Sequence, residues 1–177
     1  NIFNLYIDNA GFCNVQMSHD RANQFIVFNT NEISEISTIY LKNNQNFDQL
    51  RNSSIQANYI IIGPEEFRNA SIDLLEIRRP AVYASLETIY DEFSAGNSDP
   101  MAMRNFIQWS QENWADPAPN IVLLLGDGGY DYRNINGYSS IIIPTIQVQS
   151  SRPYATDDLI ATIYGNIPEV ALGRYPA

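Results

Sequence analysis

The sequence holds one cysteine, Cys13, and one histidine, His19, among 177 residues. A lone thiol excludes an internal disulfide, so no covalent bridge braces the fold. A serine triad would have to draw on His19, and no Gly-x-Ser-x-Gly elbow accompanies it. Cys13 and His19 sit in a stretch that reads as strand and turn. A packed, inert thiol and a surface imidazole describe them better than a catalytic pair. Basic residues are also scarce: ten Lys and Arg stand against twenty Asp and Glu, a net charge of −10. That balance leaves no electrostatic footprint for phosphate, so nucleic acid and anionic membrane surfaces are excluded as partners. No apolar run approaches the roughly 18 residues needed to span a bilayer. The first residues, Asn1 to Ala10, lack the basic region of a signal peptide. Internal repeats and low-complexity tracts are absent too. The opening at Asn1 and the close at Gly173-Arg174-Tyr175-Pro176-Ala177 read as the limits of a piece from something longer.

What is present is enough apolar residue, 45% of the chain, to bury a core. Phe3 to Ile7 alternate, and Phe25-Ile26-Val27-Phe28 is a compact apolar run. Residues 1–42 are read as a β-rich segment, the end of a preceding domain, and residues 43–177 as an α/β unit. Asn43 to Asn46 reads as a turn, with a short helical segment near Phe47 to Arg51. The character changes at Tyr59-Ile60-Ile61-Ile62, a run apolar on both faces, as suits a strand of a parallel sheet. Pro64 fits the first position of a following helix, with Glu65 and Glu66 at its positive end. Phe67, Ala70, Leu74 and Ile77 recur at helical spacing, and Pro80 closes the element. Ala81 to Leu86 reads as a second strand. Asp99-Pro100 starts a helix, with Asp99 as its cap, and Met103, Phe106, Ile107, Ser110 and Trp114 share one face. Ile121 to Leu125 is the most apolar run and a third strand. Ile141 to Val148 and Glu169 to Leu172 are candidates for further strands. Strands alternating with helices in this way predict a doubly wound, mostly parallel sheet.

In such sheets functional groups gather beyond the carboxyl ends of the strands. Three loops are expected there: one after Ile62, one holding Tyr90-Asp91-Glu92-Phe93, and one after Leu125. The last, Gly126-Asp127-Gly128-Gly129-Tyr130-Asp131-Tyr132, is the richest. Asp127 and Asp131, joined by Asp157 and Asp158, carry the hard oxygens of a calcium or magnesium site. The alternative is that these carboxylates serve turn amides or face solvent. The spacing does not fit an EF-hand, and no Rossmann or P-loop pattern follows the glycines. Asp91 and Glu92 are an acid–base candidate without a visible partner, against a structural role. Asn52-Ser53-Ser54 and Asn69-Ala70-Ser71 match the short glycosylation acceptor pattern. A metal-dependent phosphoesterase built on Gly126-Asp127 would lack histidine ligands.

Several phrases, in their order, resemble one family. They are Ala57 to Gly63, Ile89 to Ser94, Leu123 to Arg133 with its Gly-Asp-x-x-Tyr-Asp pattern, Ile143-Pro144-Thr145, Tyr154 to Asp158 and Ile167 to Pro176. The chain resembles the gingipain-type cysteine peptidases over roughly residues 43–177. The resemblance implies a caspase-like α/β catalytic domain of two subdomains, with this chain as the first. It also implies that the catalytic histidine, in a Gly-His-Gly segment, and the cysteine lie downstream of Ala177. No catalytic residue is therefore assigned in this sequence. For the complete protein the implied reaction is thiolate attack on a peptide carbonyl. Among sortase-like members of type IX secretion, the implied task is to remove carboxy-terminal sorting signals from secreted cargo and attach it to the cell surface. The implied location is extracytoplasmic, at the bacterial outer membrane or cell surface. The implied partners are the remaining half of the catalytic domain, signal-bearing protein substrates and secretion-system components. A non-catalytic calcium-binding α/β module is the alternative function.

Overall fold

The computed structural model of the chain describes residues 49–137 and 143–176. The β-rich reading of residues 1–42, both Cys13 and His19, and the turn at Asn43 to Asn46 lie outside the described residues. So do Phe47, Ile141 and Ile142.

Strands β1 (Tyr59–Gly63), β2 (Ala81–Ser85), β3 (Ile121–Leu125) and β6 (Ala171–Tyr175) form one sheet in the order β2-β1-β3-β6. Every pairing in it is parallel. Tyr59 lies opposite both Ala81 and Ile121, so β2, β1 and β3 start level. The apolar runs at Ile60 and Val122 thus become neighbouring strands, as their two-sided hydrophobicity requires. The connection from β1 to β2 runs one way across the sheet and that from β2 to β3 runs the other. Right-handed crossovers therefore place their helices on opposite faces.

One face is closed by helices α2 (Leu86–Phe93) and α3 (Pro100–Asn113). Ile60, Ile62, Ala84, Val122 and Leu124 meet Leu86, Ile89, Met103, Phe106, Ile107 and Trp114 in a single buried cluster. Phe106 stacks at a tilt on Phe93 and edge-on to Trp114, with centroids 5.5 and 5.7 Å apart. The helices start where side chains can cap them. Ser85 accepts from the Thr88 amide at 3.3 Å, and Asp99 accepts from the Met101 amide at 2.8 Å. The Trp114 indole donates to the Leu50 carbonyl at 2.8 Å, which pins the entering segment to the end of α3.

The opposite face differs from expectation. The stripe from Pro64 to Ile77 does not form one helix. It breaks into two 3-10 turns, Glu65–Phe67 and Asn69–Ser71, followed by the six-residue helix α1 (Ile72–Ile77). Pro64 is extended, with ψ 152°, and precedes the first turn instead of opening a helix. Its carbonyl is claimed by the Phe67 amide at 3.0 Å and by the Tyr83 hydroxyl at 2.6 Å. That three-residue bond tightens the chain from the outset. The stripe is also not buried: Ala70 is exposed and Ile77 is 77% exposed.

Two further expectations move. Tyr90 to Phe93 is not a loop but the last turn of α2, because Ser85 caps the chain directly at the end of β2. The last strand runs over Ala171–Tyr175, not Glu169 to Leu172. Part of the expected strand from Ile141 to Val148 exists as β4 (Ile146–Val148). It pairs antiparallel with β5 (Tyr154–Thr156) in a separate two-stranded sheet. A short helix, α4 (Asp158–Ala161), follows that hairpin and leads towards β6.

Gly63, at the end of β1, has no room for a side chain. An added Cβ would lie 2.6 Å from the Tyr83 hydroxyl and 3.0 Å from the Leu125 carbonyl. Gly63→Ala is expected to cost about 1–3 kcal/mol by overpacking. Because the nearer clash is with one oxygen, adding Tyr83→Phe should recover part of that loss. Urea unfolding of both single variants and the double variant measures the coupling, and strict additivity would refute this contact.

Candidate functional site at the carboxyl edge of the sheet

The carboxyl ends of β1 and β3 lie side by side, and the chain leaves them in opposite directions. That switch in strand order opens a crevice where α/β sheets bind ligands. The segment after β3 forms its rim. Gly126 sits at φ 145°, a conformation reserved for glycine, and its amide donates to the Tyr175 carbonyl at 2.9 Å. A cleft of about 560 Å3 is lined by Asn97, Ser98, Asp99, Tyr132 and Arg133. One wall is thus the start of α3, and the other is the loop after β3.

Arg174 organises this rim, and the sequence reading assigned it no role. Its Nε and Nη2 donate to the two carboxylate oxygens of Asp157 at 2.8 and 2.7 Å. Its Nη1 donates to the Gly126 carbonyl at 2.9 Å and to the Ile143 carbonyl at 3.4 Å. Both side chains are largely withdrawn from solvent, at 16% exposure for Arg174 and 22% for Asp157. A bidentate, planar pair of this kind is the strongest form of charge-assisted hydrogen bond. The signal for it was strand alternation. Leu172 packs against the core, so Arg174, two residues on, lies on the same face of β6. A charge there needs a partner.

Of the four aspartates read as a cation site, Asp157 and Asp131 have carboxylates held by other groups of the chain. Asp157 is taken by Arg174. Asp131 accepts from the Ile135 and Asn136 amides, both at 2.9 Å, and from the Asn136 side chain at 3.1 Å. Those bonds hold its carboxyl below the usual range, the Asn136 amide contributing most. Asp158 is exposed in the first turn of α4. Asp127 is half-buried, and its backbone carbonyl accepts from the Ile143 amide at 2.9 Å. Among the described residues no three His, Cys, Asp or Glu side chains come together as a metal would need.

Glu92 is likewise tied to structure. Its Oε1 accepts from the Leu50 amide at 3.1 Å, while Oε2 is buried without a hydrogen bond. Arg51 donates to the Glu92 carbonyl at 2.8 Å and stacks over the Phe93 ring at 4.3 Å. Burial pushes the Glu92 carboxyl upward, against the amides at 49 to 51 and the Arg51 charge. A carboxyl raised on folding adds stability below its ordinary value and loses it as pH rises through the folded value. Wild type should therefore weaken relative to Glu92→Gln between pH 4.5, the ordinary value, and neutrality. Chemical denaturation of both proteins across that range tests this, and a constant difference would refute it.

The profile of peptidase family C25 matches residues 52–177. The chain belongs to peptidase family C25. Its fold is similar to that in the crystal structure of dimeric latent PorU from Porphyromonas gingivalis. The TM-score is 0.56 at 22% identity, covering 68% of this chain and 14% of that one. This C25 chain therefore spans about one seventh of the length of that protein. No curated protein matches the sequence. The expectation of a parallel, caspase-like α/β sheet agrees with both the fold and this neighbour. Among the described residues no helix is long and apolar enough to cross a membrane.

Proposed function

We propose that this C25 chain is the first subdomain of a cysteine endopeptidase, and that the reacting thiol and imidazole lie outside it. One observation carries the reading. Between Asn52 and Ala177, the stretch matched to the family, there is neither a cysteine nor a histidine. Thiolate attack on a peptide carbonyl needs both a nucleophile and its base. Cys13 and His19 precede the matched stretch and belong to no part of it. The sheet also has an unfinished side: Ala171, Gly173 and Tyr175 on the edge strand β6 are exposed, Tyr175 by 64%. A second subdomain would cover such a face.

Within the family, the reading extends to the type IX secretion sortase. It cleaves carboxy-terminal sorting signals from secreted proteins and attaches them to the cell surface. The likeness to PorU supports that choice. The partners are then the other half of the catalytic domain, signal-bearing substrates and secretion components, at the outer surface of the bacterium. The test uses fluorescein-labelled casein and a peptide carrying a carboxy-terminal sorting signal. The 177-residue chain should cleave neither. The full-length protein should cleave the signal peptide. Turnover by the chain alone that disappears in Cys13→Ala would overturn the proposal.

A further inference from the structure

We propose that Arg174 is a positioning residue for peptide cleavage, one that sets the shape of the crevice rim from outside the reacting groups. This rests on the peptidase reading above. The guanidinium joins three separate segments: the end of β3 through Gly126, the entry to the hairpin through Ile143, and the start of α4 through Asp157. Gly128 is shaped around it. A Cβ on Gly128 would lie 2.6 Å from Arg174 Cζ, 2.8 Å from Nη1 and 2.9 Å from the Thr145 methyl. The loop backbone thus lies directly on the guanidinium group, where no larger residue fits.

The same loop is tied from its far side to the hairpin. The Thr145 hydroxyl donates to the Gly129 carbonyl at 2.8 Å, and the Gln147 amide donates to the Tyr130 carbonyl. Tyr132, further along this loop, lines the cleft against the α3 start. Arg174 therefore controls a rim that it does not itself line. Lysine keeps the charge but presents one nitrogen in place of a planar fork, so it cannot hold all three segments at once. Gly128→Ala disturbs the same contact from the other partner. The consequence for a reaction at this edge is misplacement, which lowers turnover more than substrate capture.

Two measurements test this, one in each protein. In the 177-residue chain, hydrogen exchange is followed in Arg174→Lys and Gly128→Ala. The rim amides of Gly126 and Ile143, which donate to Tyr175 and Asp127, should exchange at least about tenfold faster, with β1 and β3 unchanged. In the full-length peptidase, each variant should lower kcat about tenfold or more on a sorting-signal peptide, with KM nearly unchanged. The double variant should be no worse than the poorer single one. Unchanged rim exchange, unchanged kcat, or additive losses in kcat would overturn the role of Arg174. A wild-type protein with no turnover would instead overturn the peptidase reading, and the exchange experiment would still decide whether Arg174 holds the rim.

Discussion

Phe106→Ala is expected to destabilise the α/β unit by about 3–5 kcal/mol, the usual cost of removing a fully buried aromatic ring. Phe106 has no solvent exposure and sits between the Phe93 and Trp114 rings on the inner side of α3. Its ring fills the space between two helices and the sheet, and neither helix can collapse onto it without leaving β1 and β3. The lost contacts include two aromatic pairs, each worth about 0.5–1.5 kcal/mol beyond the area they bury. For a unit of this size the loss should lower Tm by roughly 10 °C or more. Urea unfolding should show a lower midpoint with an unchanged slope, since the surface exposed on unfolding stays the same. Phe106→Leu, which keeps most of the volume, should cost under about 1.5 kcal/mol. If the two substitutions cost the same, Phe106 is not the centre of this core.

This core was legible because helix and sheet both write their buried faces in periodic form. Met103, Phe106, Ile107, Ser110 and Trp114 recur at helical spacing, and all five are buried. Ile121 to Leu125 is apolar throughout, and the strand covers those same five residues. The segment after Pro64 has equal periodicity and a different outcome. Periodicity records which side chains are apolar, not where the first carbonyl sends its lone pairs. Once Tyr83, distant in sequence, takes part of the Pro64 carbonyl, the chain starts as a 3-10 turn. The rim was the least legible part. Asp131 and Asp157 drew attention as oxygen donors, and the groups that hold them are backbone amides, the Asn136 side chain and an arginine set by tertiary approach. Arg174 and Asp157 are 17 residues apart, and no local rule joins them.

Asp157→Ala should therefore be the most damaging single change on the rim, at about 2–4 kcal/mol. Removing one partner of a buried ion pair costs about 3–5 kcal/mol, and the residual exposure of both side chains reduces that here. The cost arises because Arg174 stays charged in a site where only the Gly126 and Ile143 carbonyls remain to it. Asp157→Asn keeps one acceptor and should fall between wild type and alanine. The double variant Asp157→Leu with Arg174→Met removes both charges, and it should be more stable than Asp157→Ala despite carrying two changes. Thermal unfolding of the four proteins decides this. An Asp157→Ala loss below about 1 kcal/mol would place the pair with ordinary surface salt bridges. Calcium separates the two readings of Asp157. Each Asp157 oxygen already accepts from the Arg174 guanidinium, whose positive charge lies against the carboxylate and repels a cation, so millimolar calcium should leave the wild-type Tm unchanged. A calcium-dependent rise that vanishes in Asp157→Asn would mean that the aspartate serves a metal and the arginine only fills its place.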